Sequence, residues 1–247
     1  MKKTVLAITL AALTLPALAQ DKKAPEPEFT ISGNFGLFSD YRFRGVSQTD
    51  KKPAAQGGFD LAHKSGIYVG TWTSNVSQWT ATGASQEIDL YGGFKGSIAG
   101  GVGFDIGAIA YQYPGNTAAV KNNTREIYVG LSYGPASYKL SRTTGNWFGV
   151  NDSSKGSLYH DITLSYPVMD KLTLSAHVGY QKIKGGDEDF RDYKLAVAYD
   201  LGDAYSLGLA VTKVSFKDED AGEAWFTNAS GKKLFDNGVV LSLTKTF

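Results

Sequence analysis

The sequence predicts an all-β protein: a transmembrane antiparallel up-and-down β-barrel of about 12 strands with short periplasmic turns and longer extracellular loops. Three observations carry that expectation. Apolar and polar residues alternate with a period of two along most of the chain, the connections alternate long and short, and an export-type leader precedes a chain with no apolar stretch near 18 residues. Alternation is a strand property because successive side chains point to opposite faces of a sheet.

Residues 1–19 read as a signal peptide. Lys2 and Lys3 precede an apolar run over 5–15, and Ala17-Leu18-Ala19 before Gln20 supplies a small-residue cleavage site. The run falls short of the ~20 apolar residues of a membrane anchor. Residues 20–28, with Pro25 and Pro27 among charges, read as a flexible leader, leaving 29–247 for the barrel.

The first strand is expected from Phe29 to Arg44, where Phe29, Ile31, Phe35, Leu37, Tyr41 and Phe43 alternate with Thr30, Ser32, Asn34, Asp40, Arg42 and Arg44. Weaker segments follow at 54–63 and 67–76. Ile88, Leu90 and Phe94 then alternate with Glu87, Asp89 and Tyr91, and the pattern recurs over 102–111, 126–133, 172–181, 193–201 and 239–244. Segments at 136–142, 157–166 and 205–216 complete about twelve, most of them close to the ~9–11 residues of a tilted membrane strand.

Long connections are expected at 44–53, 77–84, 114–123, 143–156, 183–192 and 217–236, and short ones at 64–66, 95–101, 134–135, 167–170 and 202–204. That order matches a Gram-negative outer-membrane barrel, whereas a soluble sandwich has no reason to sort its loops by end. A secreted lipocalin-like barrel would use the same period with its apolar face inward. Length argues against it, as do aromatic residues at the ends of apolar faces (Tyr41, Phe43, Tyr133, Tyr166 and Tyr199), where a membrane girdle would sit. The end of the chain adds a third argument: Val239, Leu241, Leu243 and Phe247 share one parity and resemble the assembly signal of outer-membrane barrel proteins. Lys245 departs from that pattern, and a snorkelling ammonium would accommodate it. The expected partners are outer-membrane lipid and lipopolysaccharide, the barrel-assembly machinery and periplasmic chaperones.

Composition narrows the remaining classes. The 25 basic and 24 acidic residues give +1, and removing Lys2 and Lys3 turns this to −1, so the basic face of a nucleic-acid binder is not expected. There is no cysteine, hence no disulfide or thiolate site. No cofactor motif stands out. The acidic clusters 187–189 and 218–220 lack a calcium-loop pattern and read as solvated loop tips, with divalent bridging to lipopolysaccharide phosphates as the alternative.

Ser39-Asp40-Tyr41-Arg42-Phe43-Arg44-Gly45-Val46-Ser47-Gln48-Thr49 resembles the signature of the TorF porin family. Segments 68–76, 87–92, 105–115, 126–134, 192–201 and 242–247 extend the resemblance over most of the mature chain. It implies an outer-membrane barrel and a pore without a known solute.

The polar parity supplies the candidate pore lining. Asp40, Arg42 and Arg44 are expected near the outer end of the first strand. Asp60, Glu87, Asp89, Asp105, Glu126, Asp161 and Asp200 are expected opposite Lys139 and Lys194, with His177 also on the lining. Charged rings set ion selectivity, so the acidic excess predicts a mild cation preference. Glu87 and Asp89, about 7 Å apart on one face, also fit a hydrolase pair, although lining a wet lumen is the simpler role. His63, His160 and His177 lie on three strands without a motif for a Ser-His-Asn hydrolase, and His63 is expected at the periplasmic interface. Two main classes therefore stand: a channel for passive diffusion of small hydrophilic solutes, and an occluded structural or surface-interaction barrel. In either, Trp225 and Phe226 of the 217–236 loop could fold inward as a plug or outward as a contact.

Overall fold

The computed structural model describes residues 27–77, 80–119, 121–150 and 153–247, and the expected signal peptide lies outside them. Twelve long strands form a closed barrel: β1 (Phe29–Phe38), β4 (Ala54–His63), β5 (Ile67–Asn75), β6 (Gln86–Ile98), β7 (Val102–Gln112), β8 (Thr124–Tyr133), β9 (Ala136–Thr143), β10 (Leu158–Met169), β11 (Leu172–Lys182), β12 (Phe190–Gly202), β13 (Tyr205–Phe216) and β14 (Gly238–Thr246). Two further strands of two residues, β2 (Arg42–Phe43) and β3 (Val46–Ser47), pair only with each other. A helix, α1 (Glu219–Phe226), precedes the last strand, with the Asp218 side chain accepting a hydrogen bond from the Ala221 N–H at its start.

Each barrel strand pairs antiparallel with its neighbour in sequence, and β1 closes the circle on β14. A closed barrel leaves no edge, so its backbone groups bond within the sheet as a membrane interior requires. The closing ladder is short. β1 and β14 share five residue pairs, from Asn34↔Thr246 to Phe38↔Ser242, where β12 and β13 share twelve. Reciprocal bonds between Gly33 and Phe247, of 2.7 and 2.9 Å, and one from the Ser39 N–H to the Leu241 carbonyl, extend it at both ends.

The alternating apolar face points outward. Ile31 is 76% exposed, Leu90 55%, Leu195 58% and Val239 67%. Each such side chain would gain about 1.5–3 kcal/mol on leaving water, so the wall matches a hydrocarbon solvent. Among the described residues no helix is long and apolar enough to cross a membrane. The strands make the crossing instead.

The connections sort by end, as the sequence predicts. Gly202 and the two residues after it make a tight turn between β12 and β13, with Asp203 and Ala204 both at positive φ as a two-residue hairpin requires. Strand β6 runs to Ile98, so the expected seven-residue connection at 95–101 shrinks to 99–101.

The first strand departs from expectation. It ends at Phe38, where its partner β4 begins (Phe38↔Ala54), and so does not reach Arg44. Beyond that point the Asp40 carboxylate accepts hydrogen bonds from the hydroxyls of Ser47 (2.6 Å) and Thr49 (3.1 Å), which turns the chain back on itself. Tyr41 and Phe43 are therefore not girdle residues. Tyr41 is buried against Trp72, and Phe43 packs on Tyr111 and Phe148 inside the barrel. Tyr133, Tyr166 and Tyr199 do stand exposed on the outer wall, toward the end that carries the short turns.

Candidate functional site in the barrel lumen

Residues 39–53 fold into the barrel and carry the β2–β3 hairpin. Its two turn residues, Arg44 (φ 48°) and Gly45 (φ 82°), both lie in the left-handed region that a type I′ turn demands. Gly45 is required twice over, since a Cβ there would sit 2.5 Å from Val214.

The hairpin is held at both of its arginines. Arg42 donates to Asp40 (2.8 Å) and to the carbonyls of Gly45 (3.1 Å) and Asp236 (2.7 Å). Arg44 reaches the opposite wall: its Nη2 donates to both Glu126 oxygens (2.9 and 2.7 Å), its Nη1 to Gln181 (2.6 Å), and its guanidinium lies 4.0 Å from the Tyr159 ring centre. The long 217–237 connection packs on its other side. The Ser47 N–H donates to the Leu234 carbonyl, Lys51 pairs with Asp236, and Asn228 donates to Asp50.

Two aromatic-rich clusters fill this end of the interior. One contains Tyr41, Trp72, Tyr111 and Tyr113; the other contains Trp147, Phe190, Phe216, Phe226 and Leu234. Phe226 thus packs inward, while its neighbour Trp225 is exposed.

The predicted lining residues divide along the barrel axis. On β6 the inward positions run from Glu87 and Asp89, both buried, through half-buried Tyr91 to exposed Lys95. The lumen is therefore narrowed toward the long loops and accessible to water from the short-turn end. Glu87 bonds the hydroxyls of Tyr41 and Tyr113. Burial, reinforced by the Glu87 charge, pushes both phenols well above their ordinary pKa, so they remain protonated donors. Oε2 of Glu87, Oδ1 of Asp89 and Oδ2 of Asp60 have no hydrogen-bond partner among the described residues.

Lower in the lumen, Tyr91 donates to Asp60 (2.8 Å) and Tyr68 to Asp105 (2.7 Å), while Lys95 and Lys139 lie over the rings of Tyr68 and Tyr128. His177 bridges two acids, with Nδ1 3.2 Å from Asp161 and Nε2 2.9 Å from Asp192, and Tyr159 donates to Asp192. Lys194 stands opposite His177 in the register. Asp200 is exposed at the short-turn rim, where it accepts from the Gly202 N–H and so serves the turn.

Arg42 and Arg44 reach the interior from the hairpin and not from β1, which the strand pattern over 29–44 could not separate. Asp192 and Lys95 escaped the sequence reading although each continues an alternating run by one step. His160 faces outward between Tyr138 and Tyr180, away from the other lumen groups. Among the described residues, no cluster of acids and histidines has the geometry of a metal site.

Residues 22–247 match the model of a family described as bacterial proteins of unknown function, Gcw_chp. The chain belongs to that family. No curated protein matches it. This Gcw_chp barrel does resemble solved porins in fold. It aligns with the KdgM porin at a TM-score of 0.54 and 8% identity, covering 87% of this chain and 98% of that one. With the NanC porin the TM-score is 0.53 at 8% identity, over 88% and 99% of the two chains. A KdgM structure in complex with disordered oligogalacturonate aligns at 0.52 and 8% identity, over 88% and 97%. At such identities the likeness extends to architecture alone.

Proposed function

We propose that the protein is a porin-like outer-membrane channel for small hydrophilic solutes, whose outer mouth is closed or narrowed by the 39–53 segment. The observation that carries this reading is the burial gradient on β6. A barrel built only as a wall has no need of a polar interior open to water at one end and capped by a separately folded hairpin at the other. The TorF-like signature falls on that hairpin, which links the family resemblance to the cap, and the export leader over 1–19 fits the same destination. The chain's own interior groups require no cofactor for such a role, and the reading is non-enzymatic.

The interior favours neutral or cationic solutes. Arg44 neutralises Glu126, and His177 sits between Asp161 and Asp192, but Asp60, Glu87 and Asp89 have no basic partner in contact among the described residues. The carboxylate-bearing oligogalacturonate of the KdgM complex is therefore a poor guide to the cargo here.

A second reading, an occluded structural barrel, is favoured by the aromatic packing of the cap. Conductance in planar bilayers separates the two. The refolded protein should show small discrete steps, and replacing residues 42–47 by a Gly-Ser linker should raise the step size at least ~twofold. Silence from both proteins would overturn the channel and leave the occluded barrel.

A further inference from the structure

The outer wall carries a charge pattern that the channel reading does not use. Arg125 on β8, Arg142 on β9, Lys182 on β11, Arg191 on β12 and Lys213 on β13 all point outward, are exposed, and lie at the long-loop end of their strands. Each is the first outward residue beyond the apolar band, next in parity to Ile127, Leu140, Tyr180, Tyr193 and Val211. None forms an ion pair with a described residue, and no outward position of any barrel strand carries a carboxylate. Arg191 is 5.3 Å from the Tyr180 ring centre.

The pattern is one-sided. At the same level β14, β1, β4, β5, β6 and β7 present neutral residues such as Val239, Leu37, Asn75 and Gln112. At the short-turn rim the outward strand positions carry Lys245, folded over the Tyr205 ring. A lysine or arginine made only for solubility has no reason to gather on five of six adjacent strands at one membrane boundary.

Beneath Arg125 the wall is hollowed. Gly92, Ala108 and Ala110 are small outward residues between Val69 and Leu90 on one side and Ile127 on the other, and they floor an apolar groove of about 490 Å³ with Arg125 and Thr144 at its upper edge. An apolar furrow running down from a cation fits an acyl chain below a phosphate.

We infer that the outward face of β8–β13 is a binding site for a phosphorylated glycolipid of the outer leaflet, the phosphates on the basic arc and one acyl chain in the groove below Arg125. The match is one of charge and solvent together, because the arc lies where hydrocarbon gives way to headgroup. The inference rests on the outward orientation of the long loops in the reading above, and not on conduction.

The test is native mass spectrometry of the detergent-purified, refolded full chain titrated with bis-phosphorylated lipid A, with dephosphorylated lipid A, and with inorganic phosphate as competitor. Wild type should retain the bis-phosphorylated lipid at least ~tenfold more tightly than the dephosphorylated one, with millimolar phosphate failing to displace it. A basic residue at an anionic headgroup layer contributes about fivefold, so Arg142→Gln/Lys182→Gln/Arg191→Gln/Lys213→Gln should lose tenfold or more, while Lys64→Gln/Lys245→Gln should not. Equal retention of both lipids by wild type, a comparison that needs no variant, overturns the inference. Displacement by phosphate alone also overturns it, as does a concentration-dependent oligomer that disappears in the fourfold variant without lipid selectivity. Conductance of the same preparations keeps the two ideas apart: a silent barrel that retains lipid fails only the channel, and a conducting one without lipid fails only this site.

Discussion

Arg44 joins the hairpin to the far wall, and its chemistry explains why a lysine would not serve. A planar guanidinium can meet both oxygens of Glu126, reach Gln181 and stack on Tyr159 at once, whereas an ammonium is a point charge. Removing one partner of a buried ion pair strands the other, at a cost of about 3–5 kcal/mol. Arg44→Ala should therefore unseat the hairpin and leave the barrel standing, since the strand ladders do not include it. Its single-channel conductance should rise toward that of the linker variant, and protease should cut within 39–53. Unchanged conductance and resistance would contradict this role. At this scale the sequence was partly legible. Parity placed Glu87, Asp89, Glu126, Asp161 and His177 on the inward side because strand geometry leaves only two faces. It could not show that Arg44 approaches from a separate hairpin, because Asp40, Arg42 and Arg44 continue the same alternation past the point where β1 loses its partner.

Element by element, strand existence was readable almost everywhere and strand ends were not. Segments 54–63 and 205–216 coincide with β4 and β13, while β6 runs four residues beyond its expected end because Lys95 and Gly96 continue the ladder to β7 after the apolar pattern has faded. The polar half of β6 is also where selectivity should reside. Replacing its two buried acids, Glu87→Gln with Asp89→Asn, removes both carboxyl groups near the narrow end without touching the ladder. Reversal potentials across a salt gradient should show cation preference in wild type and a ratio closer to one in the double variant. An anion-selective wild type, or a variant with the same ratio, would show that those carboxylates do not set the field.

Over the whole molecule, fold class followed from period and loop order because both are imposed by the membrane. What no pattern conveyed was that two loops distant in sequence, 39–53 and 217–237, meet at the long-loop mouth of the barrel through Arg42, Lys51 and Asp236. Phe247 lies at the closing ladder, its ring within 3.0 Å of the Cβ that Gly33 lacks and 6.2 Å from that of Phe59. Deleting it should lower the yield of folded barrel severalfold in cells, read as heat-modifiable mobility in the outer-membrane fraction. An undiminished yield would separate the terminal aromatic from assembly.

The short seam has a temporal meaning as well. Of the two strands that meet there, one is followed directly by the hairpin segment and the other is preceded directly by the helix-bearing loop. The two halves of the stopper are thus carried on the two lips of the opening and come together as the lips do. Chain connectivity thereby ties the placing of the stopper to the closing of the seam.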